Sequence, residues 1–121
     1  MGNQALHRIR EICATFPEVA EQVRDANAFS VRGRNFVVFW PNWFSNPRPS
    51  VWCKAPLGVQ EQLIARDGER FFVPAWMGRF GWIGVWLDPP PDDWDELAEI
   101  FETAYRMTAP RRLTAKLDNP S

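Results

Sequence analysis

Apolar residues recur at helical spacing near the start of the chain: Leu6, Ile9, Cys13 and Phe16, with Ile12 beside them. That stripe predicts a helix over residues 3–16, capped by Asn3 and stopped by Pro17. The polar stretch from Glu18 to Asn27 is expected to be irregular or a short helical turn. Three strands are predicted next. Ala28–Val31 runs into a tight turn at Arg32-Gly33-Arg34. Asn35–Trp40 (NFVVFW) is apolar almost throughout, which suits a strand covered on both faces or one walled by aromatics. Pro41–Pro49 (PNWFSNPRP) is loop by composition, and Ser50–Lys54 is the third strand, antiparallel to the hairpin formed by the first two.

The second half alternates differently. Leu57–Arg66 reads as a short helix with Val59, Leu63 and Ile64 inward, ended by Asp67-Gly68. Phe71–Val73 is a short strand that stops at Pro74, and Trp76–Phe80 is a connector. Gly81–Leu87 (GWIGVWL) puts Trp82, Gly84 and Trp86 on one face and Ile83, Val85 and Leu87 on the other. Glycine in such a strand lets a neighbour approach the backbone closely. After Pro89-Pro90-Pro91, Asp92 caps a helix whose stripe is Trp94, Leu97, Ala98, Phe101, Ala104 and Tyr105. Acids crowd its first turn and Arg106 lies near its end, as the helix dipole favours. Pro110 closes it. The expected order is α-β-β-β-α-β-β-α: an α+β fold with an antiparallel sheet packed by N- and C-terminal helices. Residues 1–113 form one domain, and 114–121 a polar, frayed tail.

Composition changes this picture in one respect. A chain of 121 residues with 45% hydrophobic content is ordinary for one domain, but seven Trp, nine Phe and eleven Pro are not. So many rings must fill a core or offer stacking surfaces. The formal net charge of -1 supplies no global attraction for nucleic acid or an anionic membrane. No stretch is apolar enough to span a bilayer, and the opening MGNQALHRIREIC lacks the apolar region of a secretory leader. Cys13 and Cys53 are far apart in sequence and make no metal pattern, so a reduced, cytosolic compartment is expected.

Catalytic chemistry has little to work with. His7 is the one histidine, and Cys13 falls nearly opposite it on a helix. Ser30, Ser45 and Ser50 sit in no nucleophile-elbow context. Gly78, Gly81 and Gly84 precede a strand, not the helix that a dinucleotide fingerprint requires. The acids from Asp92 to Glu102 suit a solvated helix face that complements the helix dipole. No metal or cofactor is expected, and a binding module is favoured over an enzyme.

The net charge hides segregation. Between Ala26 and Gln60 there is no acid, while Arg32, Arg34, Arg48 and Lys54 interleave with Phe29, Phe36, Phe39, Trp40, Trp43, Phe44 and Trp52. A second acid-free run, Thr103–Leu117, carries Arg106, Arg111, Arg112 and Lys116. Cations neutralise phosphates and aromatic faces stack on unpaired bases. An alternative is a pocket for a small anionic ligand or a protein partner, walled by Trp76, Trp82 and Trp86 with Arg79 or Lys54 fixing the anion.

Three segments carry a family resemblance. VWCKAPLGVQEQL (51–63), GERFFVPAWMGRFGWIGVWLD (68–88) and DWDELAEIFETAYRMTAPRRL (93–113) closely resemble the MmcQ/YjbR-like family. FSVRGRNF (29–36) is similar to its Gly-Lys hairpin turn, with Arg34 in place of lysine. The resemblance implies a CyaY-like fold with a double-wing DNA-binding arrangement. Its marked sites fall at Gly33-Arg34, Lys54, Pro74–Arg79 and Trp82, and it brings no catalytic residue. The chain departs from the family at Ala75-Trp76, where Pro-Tyr is usual, and in the inserted loop PNWFSNPRP. Likeness to frataxin-type folds also raises iron binding, but the first helix bears only Glu11, so the acidic ridge is missing. The combined expectation is DNA binding, with Arg32, Arg34, Arg48, Lys54 and Arg79 on phosphates and Trp43 stacking or wedging.

Overall fold

The computed structural model describes residues 3–42 and 47–119. Helix α1 (Asn3–Cys13) precedes strands β1 (Val19–Val23), β2 (Asn27–Val31), β3 (Arg34–Trp40) and β4 (Ser50–Cys53). Helix α2 (Val59–Arg66), β5 (Phe71–Phe72), a 3-10 turn (Gly78–Phe80) and β6 (Ile83–Trp86) follow, and then α3 (Trp94–Thr108) and α4 (Arg111–Asp118). The strands form one antiparallel sheet in the order β1-β2-β3-β4-β6-β5. The α+β architecture with terminal helices is as the pattern predicts. Trp43 lies outside the described residues.

Period-two alternation divides the sheet into two faces. The rows Phe39–Val51–Val85–Phe71 and Val37–Cys53–Ile83 look one way. Against them pack Ile9 and Cys13 of α1, Leu63 and Ile64 of α2, Leu97, Phe101 and Ala104 of α3, and Leu113 of α4. This is the main core. The row Val38–Trp52–Gly84–Phe72 looks the other way, as do Trp40 and Trp86. Trp40 lies 5.2 Å from Trp52, and Phe72 stacks on Trp86 at 4.3 Å. The rings thus serve two layers, and their large contact area stabilises both.

Tyr105 joins α3 to the base of the sheet. It is fully buried, stacks on Phe16 at 5.0 Å, meets Phe36 edge-on at 5.5 Å, and donates its hydroxyl proton to the Pro17 carbonyl at 2.7 Å. Burial pushes its pKa up, which keeps the phenol a donor. Asp93 caps α3, its carboxylate accepting from the Glu96 amide at 3.1 Å, one residue later than the expected cap Asp92. The hairpin turn has positive φ at both Arg32 (52°) and Gly33 (80°). That is the primed geometry whose twist matches the flanking strands, and the second position suits glycine.

Two elements differ from expectation. Residues 19–23, within the stretch expected to be irregular or a short helical turn, form edge strand β1, held by backbone pairing to β2 with little apolar burial. The tail expected to fray is instead α4. Leu113 and Leu117 lie one helical turn apart, Leu113 fully buried and Leu117 packed against the core. Arg106 holds the far end of α4 through Asp118 at 2.8 Å.

β1 is tied to α1 by charge. Arg10 donates twice to Glu21 (2.8 and 2.9 Å), and Asn27 donates to the same carboxylate at 2.8 Å. The Arg10 hydrogen bond holds the Glu21 carboxyl below the usual carboxylate range, against the opposing pull of desolvation. A depressed folded pKa adds stability above the unfolded pKa, and that stability is lost as pH falls through the folded value. Glu21→Gln should therefore cost about 1 kcal/mol at neutral pH, at the low end because Arg10 is solvent-screened. Urea denaturation at pH 7 and pH 3 checks this: the gap between wild type and variant should shrink in acid.

Candidate nucleic-acid interface

Strand register decides where the predicted cations fall. Val31 pairs with Arg34 at the hairpin turn, so Arg32 and Arg34 mark one end of the β2–β3 pair. β4 runs back towards that end, pairing Cys53 with Val37, and the Lys54 amide then donates to the Phe36 carbonyl at 3.1 Å. β6 starts at the same end, since Ile83 pairs with Cys53. A methyl on Gly81 would sit 3.6 Å from the Ala55 carbonyl, so the segment carrying Arg79 runs beside the segment leaving β4. Arg32, Arg34, Lys54 and Arg79 therefore share one end of the sheet.

Helix α4 adds to this end. Glu18 lies just before β1, whose first residue pairs with Val31. Arg32 bonds Glu18 at 2.8 Å, and that hydrogen bond, with lesser help from Lys116 and Arg112, holds the Glu18 carboxyl below its usual range. Arg112 and Lys116 thus approach the hairpin turn, although neither was among the expected contact residues. The acid-free run that contains them and the Leu113–Leu117 spacing were the available signals. α4 also starts unusually. Pro110 at its N-cap supplies no side-chain bond, its first turn holds no acid, and Arg111 and Arg112 stand where the dipole favours anions.

The cations differ in how free they are. Arg32 is engaged by Glu18. Among the described residues no ion pair engages Arg34, Lys54, Arg79, Arg112 or Lys116. Arg34, Arg79, Arg112 and Lys116 are exposed and Lys54 is half-buried. Glu61, in the first turn of α2, is the acid nearest to Lys54 in the chain. Arg48 is at the opposite end. It donates to the Asp88 carbonyl at 2.6 and 3.2 Å and its guanidinium covers the Trp86 ring at 4.2 Å. Arg48, expected to contact phosphate, thus lies just before β4 against the end of β6, away from Arg34, Lys54 and Arg79.

The acids gather at that opposite end. Leu87–Pro91 leads from β6 into α3, whose approach and first two turns carry Asp92, Asp93, Asp95, Glu96 and Glu99. α3 then runs towards Tyr105 and Pro17, at the hairpin end. The fold separates charge along the strand direction.

The sequence profile of the YjbR family matches residues 14–107. This chain belongs to the YjbR family. Its fold is also similar to the crystal structure of Deinococcus radiodurans protein DR2400, which carries a DUF419 domain. The TM-score is 0.72 and the identity 16%, over 84% of this chain and 76% of that one. At that identity the likeness is one of fold. No curated protein matches the chain. The YjbR match spans the hairpin, Lys54 and the Pro74–Arg79 connector; α4, with Arg112 and Lys116, lies beyond it.

The three tryptophans expected to wall a pocket have different surroundings in this YjbR domain. Trp82 is buried, Trp86 is sandwiched between Phe72 and Arg48, and Trp76 is 69% exposed. Trp86 does border an open cavity of about 480 Å³, but its other walls are Arg48, Asp67, Gly68, Glu69, Arg70 and Pro89. Arg70 is spent on the carbonyls of Trp86 and Pro89, at 2.8 and 2.6 Å.

Nucleophilic groups are poorly placed. Burial pushes the Cys13 thiol up to about 12 and the Cys53 thiol up as well, so neither forms a thiolate near neutral pH. His7 is exposed on α1, 3.7 Å from Glu11. Among the described residues there is no cluster of three His, Cys, Asp or Glu able to hold a metal, and no helix long and apolar enough to cross a membrane.

A methyl at Gly84 would overlap the Phe72 ring, which lies over that glycine on its way to Trp86. Gly84→Ala should push Phe72 off Trp86 and cost about 1–3 kcal/mol by overpacking. Near-ultraviolet circular dichroism and a denaturant titration would show both effects.

Proposed function

We propose that this YjbR-family chain binds DNA through the hairpin end of its sheet. The observation that carries the reading is the convergence of Arg34, Lys54 and Arg79, from three separate segments, on one end of the sheet. Each lacks an ion-pair partner among the described residues. Arg112 and Lys116 extend this charge across α4, beside Glu18. The like charges of Arg34, Lys54 and Arg79 are not neutralised by an ion pair among the described residues, and a polyanion would relieve their repulsion. The uncapped first turn of α4, already carrying two arginines, points the same way, since its amide groups and dipole favour an anion. The acids near the start of α3 would face away from the DNA and set the orientation of approach.

Phosphate contacts would come from Arg34, Lys54 and Arg79, with Arg112 and Lys116 from α4. Arg32 would join by exchanging Glu18 for a phosphate. Five to six contacts give a slope of log affinity against log salt of about −5 for duplex DNA.

Fluorescence anisotropy on a labelled duplex at several salt concentrations tests the proposal. Arg34→Ala with Lys54→Ala should flatten the slope by about 2, one per lost phosphate contact. Arg48→Ala should leave the slope unchanged. Absence of binding at low salt, or a slope indifferent to the double substitution, would remove the basis for a DNA function.

A further inference from the structure

Strand β1 leaves one side of its backbone unpaired. The turn between β2 and β3 holds only Arg32 and Gly33, so Val31 and Arg34 close it as a hydrogen-bonded pair. Bonded and unbonded pairs alternate along an antiparallel ladder. Strand β2 therefore turns the backbone of Phe29 and Val31 towards β3, and that of Ala28 and Ser30 towards β1. Their partners on β1 are Gln22 and Ala20. The Arg24 amide keeps the same phase by donating to the Ala26 carbonyl at 2.9 Å. The backbone groups of Val19, Glu21 and Val23 consequently point to the free edge of the sheet, where no hydrogen bond meets them among the described residues.

Such an edge is a template for another strand, and natural sheets blunt it with proline, lysine or a bulge. β1 has none of these: its sequence is VAEQV and its register with β2 is unbroken. Its one charge, Glu21, is already held by Arg10 and Asn27. Val23 shares the sheet face of Val19, which packs against the core, yet Val23 is 64% exposed.

The order of residues along the edge identifies the occupant. Antiparallel pairing of β1 with a second β1, centred on Glu21, matches every outward backbone group, about six hydrogen bonds in all. It sets Val19 opposite Val23 on both sides of the axis, which covers the exposed valine. The same register sets Arg24 opposite Glu18 at both ends. Arg24 is exposed and makes no ion pair among the described residues, and Glu18 is an exposed acid just before β1. The two Glu21 carboxylates meet at the axis, each accompanied by its own Arg10, so the charges there balance. The neighbouring in-phase registers are poorer: they set Val23 opposite Pro17, which has no donor, or Val19 opposite Asp25 in the turn. We infer that β1 is a self-association edge, and that a second copy of this chain joins its sheet there about a twofold axis. Strand direction reverses at the axis, so the two cationic hairpin ends lie at opposite ends of the joined sheet.

Sedimentation velocity over a range of protein concentrations, without DNA, tests this. Wild type should show a reversible monomer–dimer equilibrium with a micromolar dissociation constant. Val23→Pro removes one outward donor per copy and spares the bonds to β2, so it should weaken the dimer about thirtyfold. Arg24→Glu sets like charges opposite each other at both ends and should weaken it about tenfold. Leu57→Ser removes an exposed apolar residue outside β1 and should change nothing. Circular dichroism checks the fold of each variant, and the exposed Arg24→Glu change decides the matter if the proline variant does not fold. A monomer at every concentration up to about 1 mM would overturn the inference and leave the edge to a strand of another protein. A dimer indifferent to either folded β1 variant, or one abolished by Leu57→Ser, would overturn it as well.

Discussion

The register of β4 between β3 and β6 governs both the core and the charge. Pairing Cys53 with Val37 on one side and Ile83 on the other buries all three against the helices. The same register brings Lys54 and the approach to β6 up to the β2–β3 turn. A slip of one residue would turn Trp52 into the helical core and Cys53 out of it. It would also move Lys54 along the sheet relative to the hairpin. Because Val37, Val51, Cys53, Ile83 and Val85 are all fully buried, that slip is strongly opposed. The surface cluster inherits its precision from apolar packing.

Charge separation follows from connectivity. The loop after β6 leaves the sheet at the end away from the hairpin, so α3 begins there with its acids and runs back towards Tyr105. The bond from Tyr105 to Pro17 ties that part of α3 to the segment before β1, and Pro110 separates α3 from α4. A chain of formal net charge -1 in this way presents one cationic end and one acidic end. Its overall pI is a poor guide to its partners, because a polyanion meets the local field of the end it approaches.

Much of the architecture was legible in the chain. Helical spacing located α1, α2 and α3, alternation located β6, and short apolar runs bounded by turn residues located β2, β3 and β4. β1 was not legible, since an edge strand with four exposed residues has no apolar alternation to read. α4 was partly legible: Leu113 and Leu117 announce a face, but the polar residues between them masked it. For the site, Arg34 and Lys54 could be nominated from local charge and Arg79 from the family resemblance, and only the register shows that their segments meet. Arg48 looked equivalent in sequence. It differs because its neighbour in space is Trp86, a partner that strand order alone supplies. The tryptophans likewise looked alike in sequence and differ in the fold: Gly84 admits Phe72 against Trp86, Trp82 is buried and Trp76 is exposed.

The hairpin end, with α4 and the segment carrying Arg79, is the proposed binding surface. Amide chemical-shift mapping with a short unlabelled DNA strand tests it most directly. Shifts confined to residues near 32–35, 54–55, 76–81 and 111–116 are the predicted result. Shifts centred on the start of α3 or on the cavity beside Arg48 and Arg70, or none at all at low salt, would contradict it.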